Sequence, residues 1–275
     1  MSDLLRSEWI KFRSVRSTLV TLALAGGLVV LVAVLQANDA NQADPTLSRC
    51  ESIEQSQEGS VVSTRPDPTC GDGSLLVTRA QSADLSKLTQ GVSLAVLLFG
   101  ILGVQVIGQE YQFSTIRTTF AAMPRRRHVL AAKLAVVTSA CAVVAAAMVA
   151  LCWVVGTVMV DEFGVDGVDR RIAWGSVVFS VLWATAGMGL GAIVRRPVPA
   201  IGILVGVSLI GENVLAAAVE SSARWLPWAN GFQMTQRDFR ADLDLRPVLE
   251  GGIYFALVCL ALWVIGAVLV ERRDA

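Results

Sequence analysis

Charge is scarce in this chain. Only 17% of its 275 residues are Asp, Glu, Lys or Arg, against 54% that are hydrophobic, and the mean hydropathy is +0.58. An ordinary soluble enzyme of this size carries far more polar surface, so that class is excluded. The 23 basic residues balance 23 acidic ones, which leaves no excess of positive charge for nucleic acid. Histidine is almost missing. Its one copy, His128, stands beside arginines, and a metal site built on histidine is excluded from this chain alone. None of the five cysteines has metal-ligand spacing, and no His/Asp, Cys/His or paired-carboxylate cluster sits at one membrane depth. A phosphate-binding loop is absent too: Gly103 to Gly108 leads into Gln109 and Glu110 where Lys and Ser or Thr are required. The chain is therefore expected not to be an enzyme by itself. The start Met-Ser-Asp-Leu-Leu-Arg-Ser-Glu lacks the basic segment, apolar core and cleavage site of a signal peptide, so the first apolar run is expected to stay as an anchor.

What the chain has is long apolar runs. Six of them cover about Thr18 to Gln36, Leu88 to Ile107, Leu134 to Val160, Ile172 to Val194, Pro197 to Val219 and Gly251 to Val270. Each suits the roughly 20 helical residues that cross a hydrocarbon core of about 30 Å. Backbone polar groups in lipid must pair internally, which favours helices over open strands. The expectation is an all-α integral membrane protein, one transmembrane domain over 1–275. Its soluble pieces are an outer loop at 37–87, a cytoplasmic segment at 109–133 and an outer loop at 220–250.

Topology follows from the basic residues. Thirteen of the 23, including Arg6, Lys11, Arg117, Arg125 to Arg127, Lys133, Arg195 and Arg272, lie in four short segments on the side of the termini, while 17 of the 23 acidic residues lie in the opposite loops. Both termini are placed in the cytoplasm of a multi-pass cell-membrane protein. In the first outer loop, Cys50 and Cys70 stand twenty residues apart on the oxidising side. A disulfide there would close a loop worth roughly 3 kcal/mol; the other reading is two free thiols. Cys141, Cys152 and Cys259 read as small apolar residues inside spans. In the last outer loop the indoles of Arg-Trp-Leu-Pro-Trp, Arg224 to Trp228, suit a half-buried turn at the membrane interface.

Three segments hold residues with a candidate role. Leu5, Trp9 and Phe12 share one helical stripe flanked by Arg6, Lys11 and Arg13, which reads as an interfacial helix turning into the first span through an elbow, or as a basic flank that fixes topology. Between the second and third spans, Phe113, Ile116 and Phe120 form an apolar stripe at i, i+3 and i+7, Pro124 ends the helix near Met123, and Arg125 to Arg127 meet headgroups. That surface helix is a docking element for a cytoplasmic partner, or an interfacial loop. Glu212, beside Gly211 and Asn213, is the one carboxylate inside a span. It either lines a translocation path, pairs with an outer-loop arginine, or anchors a helix by buried hydrogen bonds. Gly187 with Gly191, and Gly202 with Gly206, form small-xxx-small pairs that allow close helix approach, within the subunit or at a dimer seam.

The segment Glu110, Thr115, Ile116, Arg117, Pro124, Arg127 and Lys133 resembles the loop between spans two and three of type-2 ATP-binding-cassette exporter permeases. The six spans, the N-terminal amphipathic helix and the region Glu220 to Pro227, placed like that family's re-entrant or interfacial region before the sixth span, extend the resemblance over nearly the whole chain. Ser114 stands where the family usually has glycine, and the first outer loop is longer than in simple members. The resemblance implies that Glu110 to Met123, with Tyr111, Phe113, Thr115, Ile116, Arg117 and Phe120, is a coupling helix resting on a separate ATPase subunit. It also implies two ATPase copies that hold ATP and Mg, a second permease copy or close paralogue, and no cofactor in this chain. The substrate, whether drug, lipid, peptide or ion, is not specified. The other reading is a secondary transporter driven by protonation of Glu212, although no internal repeat of the kind common in such carriers is visible.

Overall fold

The computed structural model describes residues 2–41, 85–113, 115, 126–159, 165, 167–237, 239 and 243–273. Cys50, Cys70, Ser114, Ile116, Arg117, Phe120, Met123 and Pro124 lie outside them, and with them the predicted disulfide and most of the predicted coupling stripe. Among the described residues every element is helical. A first helix, α1 (Ser2–Ser14), breaks at Val15 and is followed by α2 (Arg16–Asn41). Then come α3 (Gln90–Gln112), α4 (Arg126–Met159), α5 (Gly167–Val194), α6 (Pro197–Ala218), the short α7 (Pro227–Phe232) and α8 (Val248–Arg273). All except α1 and α7 are long and apolar enough to cross a membrane, six in total. This is the architecture of a multi-pass membrane protein.

The six long helices are apolar around most of their circumference, so hydropathy does not say which face packs inward. Small residues do. The central windows of α3 and α5 are 67% and 61% buried, against 28–33% for the other four, which makes this pair the spine of the bundle. A Cβ built on Gly103 of α3 would lie 2.1 Å from the carbonyl oxygen of Ala184 on α5, and one on Gly187 would lie 2.2 Å from that of Gly100. The two backbones touch, as the Gly187 and Gly191 spacing allows. One apolar cluster joins α2, α3, α4 and α5 around Val29, Phe99, Leu102, Ile107 and Met188. A second joins α3, α5, α6, α7 and α8 around Val96, Phe179, Trp183, Leu204, Trp228 and Phe255.

Gly202 and Gly206 behave differently: a Cβ on either meets nothing within 4 Å. Gly103→Ala and Gly187→Ala are therefore expected to force α3 and α5 apart, with a loss of about 1–3 kcal/mol or more, while Gly202→Ala should stay within about 0.5 kcal/mol of the parent. Thermal unfolding of the purified variants checks this; equal transitions for all three would mean the spine tolerates separation.

The turn between α5 and α6 is only two residues long. Arg195 takes the left-handed conformation, φ 61°, and its N–H closes α5 on the Gly191 carbonyl at 2.9 Å. Arg196 is extended, and Pro197 opens α6 at its first position, where the missing N–H is harmless.

Candidate functional site

Two polar arrangements are buried at opposite ends of the bundle. The first, at the end carrying the termini, is a line of alternating charges. Lys11 Nζ lies 3.0 Å from Glu8 Oε1, Glu8 Oε2 lies 2.6 Å from Lys133 Nζ, and the same Nζ lies 2.6 Å from Glu110 Oε1. Glu8 belongs to α1, Glu110 to the last turn of α3, and Lys133 to the second turn of α4. Glu8 and Lys133 are only 5% and 4% exposed. Charges removed this far from water persist only when paired, so each needs the next. Glu110 needs it doubly, because it sits at the C-terminal end of α3, where the helix dipole disfavours a carboxylate.

Burial pushes the Glu8 carboxyl up, but Lys133 and Lys11 outweigh burial and hold it below the ordinary carboxylate range. The native value lies below the unfolded one. Its stabilisation is therefore complete above an ordinary Glu value of about 4.3 and fades as pH falls through the lowered native value.

The predicted surface helix does not begin at Glu110. Helix α3 runs on through Gln112 and stops at Phe113, so Glu110 and Tyr111 form its final turn. Gln109 and Glu110 can continue the helix because each finds a partner: Gln109 Nε2 donates to Ser17 Oγ at 3.0 Å, and Glu110 meets Lys133. Likewise Lys133 lies within α4, which starts at Arg126 rather than at Leu134. Phe113 is 68% exposed, Tyr111 is half-buried beneath the Arg195 guanidinium at 5.1 Å, and Thr115 Oγ1 donates to the Glu110 carbonyl at 3.4 Å. The stripe on α1 divides. Leu5 and Trp9 are exposed, whereas Phe12 packs into the first apolar cluster with Trp9 stacked on it at 6.1 Å. A pocket of about 500 Å³ opens between α1, α3 and α4, with Phe12, Val106 and Val137 on its apolar wall and Lys11, Gln109 and Glu110 on its polar side.

The second arrangement centres on Glu212. Its Oε1 accepts from the Trp228 N–H at 2.8 Å and its Oε2 from the Ala229 N–H at 2.9 Å. These are free donors of the first turn of α7, whose Pro227 has none to offer, so Glu212 caps a helix sixteen residues further along the chain. Among the described residues no outer-loop arginine is its partner: Arg224 pairs with Asp244 at 2.8 Å, and Arg246 lies over the Trp225 and Tyr254 rings. Asn213 Nδ2 donates to the Leu209 carbonyl from the exposed side of α6.

Local geometry brings Glu212 to this place. Ala200, Leu204, Ser208, Glu212 and Ala216 are the buried residues of α6, spaced by four. In a regular α-helix such a spacing drifts by about 40° at every step. Between Val207 and Gly211 the helix opens into a π turn, which takes back part of the drift and keeps Glu212 on the inward stripe.

Helix α7 itself is clamped. Trp228 is buried, 4.4 Å from the Trp183 ring and 5.1 Å from Phe179, so this indole belongs to the core and not to the membrane interface that its sequence suggests. Trp225 alone of the two stays exposed. Asn230, fully buried, donates to the carbonyls of Ala223 and Leu226 and accepts from the Arg246 N–H, tying both flanks of α7 together. In place of a simple turn, the region holds a 3₁₀ segment at Glu220–Trp225, α7, and a second 3₁₀ turn at Gln233–Thr235. At the same end, Arg237 Nη2 reaches the buried Asp169 at the start of α5, 3.2 Å away.

The chain matches no family model, no curated protein and no solved structure. Among the described residues no group of three His, Cys, Asp or Glu could hold a metal ion. Neither arrangement presents a nucleophile beside a base. Both are fasteners: one joins a terminal helix to the ends of two spans, the other joins a span to a short helix. Glu8 and Asn230 are the members that sequence reasoning missed. Glu8 did leave a signal, as the only acid among the basic residues of α1 after Asp3 and three residues from Lys11.

Proposed function

We propose that this chain is the permease subunit of an ATP-binding-cassette exporter, moving its substrate outward with ATP hydrolysed by a separate subunit. The observation that carries the reading is the ion line Lys11, Glu8, Lys133, Glu110. It makes α1, the end of α3 and the start of α4 one mechanical unit. In that reading α1 is the elbow helix, the segment from Glu110 through Phe113 to Met123 is the coupling element, and both termini face the cytoplasm, as the basic residues favour. A push on the exposed Phe113 would travel through Glu110 and Lys133 to α1 and so to the first span. The short helices before α8 occupy the place of the family's re-entrant region. Two ATPase subunits and a second permease copy complete the assembly.

The alternative, proton-coupled transport through Glu212, gains nothing from a carboxylate whose two oxygens both serve as a helix cap. Purification from the native membrane in mild detergent is expected to bring down a stoichiometric ATPase whose hydrolysis is vanadate-sensitive. An intact, monodisperse preparation without such a subunit would sink the exporter reading and return attention to Glu212.

A further inference from the structure

The pocket between α1, α3 and α4 lies where the apolar spans end. The span in α2 begins at Ser17 and α3 stops at Gln112, so the pocket sits at the level where hydrocarbon gives way to headgroups, on the side of the termini. Its volume of about 500 Å³ falls in the range of ligand sites. Its apolar lining is open: Phe113 is 68% exposed, Val15 is 37% exposed, and Phe12 and Val106 are only partly buried. Apolar side chains at this depth lie within reach of acyl chains.

Four charged groups line the pocket, and three of them are closed to a ligand. Both oxygens of the buried Glu8 are taken, one by Lys11 and the other by Lys133. Lys133 is itself enclosed between Glu8 and Glu110, while Glu110 has one oxygen on Lys133 and the other buried out of reach. Lys11 is left. Its side chain is 48% exposed, and its ammonium carries three donors of which Glu8 takes one. The charge that a ligand meets is therefore positive, although the four cancel in sum. Among the described side chains of α1 the exposed charges all have that sign: Arg6, Lys11 and Arg13.

We infer that the pocket binds an anionic phospholipid, one acyl chain along Phe12, Val15, Val106 and Phe113 and its phosphate on the Lys11 ammonium. A zwitterionic lipid offers the same phosphate but brings a second cation beside Lys11, with no acceptor there to receive it. The inference needs only the membrane architecture and stands apart from the exporter reading.

The test is reconstitution of the full chain into equimolar phosphatidylglycerol and phosphatidylcholine of matched chains, followed by detergent extraction and mass spectrometry of the retained lipid. One phosphatidylglycerol per chain is expected, enriched about fivefold, the factor that one lysine at an anionic surface supplies. Lys11→Gln should bring the two lipids to parity, and Lys11→Arg, which keeps the cation, should preserve the enrichment. Arg6→Gln combined with Arg13→Gln should leave it unchanged, because neither arginine lines the pocket. Val106→Phe should lower retention of both lipids alike by filling the place of the chain. Soluble glycerophosphoglycerol should not displace the lipid, since it covers none of the apolar wall.

Equal retention of the two lipids by the parent would overturn the proposal, as would enrichment that survives Lys11→Gln or is lost in Lys11→Arg. Enrichment lost in the Arg6 and Arg13 variant would reduce the effect to general attraction by a basic surface, and overturns it too. Displacement by the soluble headgroup, or undiminished retention in Val106→Phe, would show that no acyl chain occupies the pocket.

Discussion

Replacing Lys133 with Met is expected to destabilise the protein by about 3–5 kcal/mol, the range found when one partner of a buried ion pair is removed. Glu8 and Glu110 both lie 2.6 Å from its Nζ, so the variant leaves two carboxylates facing one another without a cation between them. Thermal unfolding of the detergent-purified chain, followed by tryptophan fluorescence, reads the loss. The triple variant Lys133→Met with Glu8→Gln and Glu110→Gln should regain most of it, because the one charge left without its partner, Lys11, is 48% exposed to solvent. Acidification should weaken the parent through the same ion line, since Glu8 titrates below the ordinary range and its contribution disappears as it protonates. A Lys133→Met variant as stable as the parent would show that the ion line holds nothing together. In the exporter reading the triple variant has a second use: it should fold and bind the ATPase, yet transmit its movement poorly.

The second large effect is expected at Glu212. Its replacement by Ala would strand the N–H groups of Trp228 and Ala229, each left without an acceptor, at about 1–3 kcal/mol apiece. Glu212→Gln should fall between, because one oxygen still accepts while its amide nitrogen opposes the other donor. The indole of Trp228 packs 4.4 Å from Trp183, so loosening of α7 should shift the tryptophan emission to the red before global unfolding. An Ala variant with parental emission and parental unfolding would mean that α7 is held by its aromatic and Asn230 contacts alone.

The six spans were legible because length and hydropathy are local quantities. Their ends were less so. Helix α3 passes five residues beyond the last apolar position expected for it, since Gln109 and Glu110 are polar by themselves and neutralised only by Ser17 and Lys133 from elsewhere. Which side of each span faces inward was not legible from hydropathy on helices that are apolar nearly all round. The exception was Gly187 and Gly191, where the absence of a side chain is the signal. Glu212 stood out for its charge, but its partners are backbone groups of residues 228 and 229, which no side-chain pattern announces. Trp228 and Trp225 look alike in sequence and end in opposite surroundings, because Pro227 starts a helix that turns only one of them into the core.

The π turn in α6 has a consequence for how this span can vary. Side chains along it can change while the inward stripe survives, provided they keep their size and polarity. Its length is under tighter constraint. The wide turn at Val207 to Gly211 acts as a phase shifter: a residue deleted from it is offset by the tighter winding of the regular helix that replaces it, so Glu212 stays near the inward stripe. A residue deleted from the regular part, Pro197 to Gly206, has no such compensation, and the segment beyond it would turn by about 100° relative to the part before it. Glu212 would then sweep off the inward stripe, and α7 would lose its cap to a change of count alone.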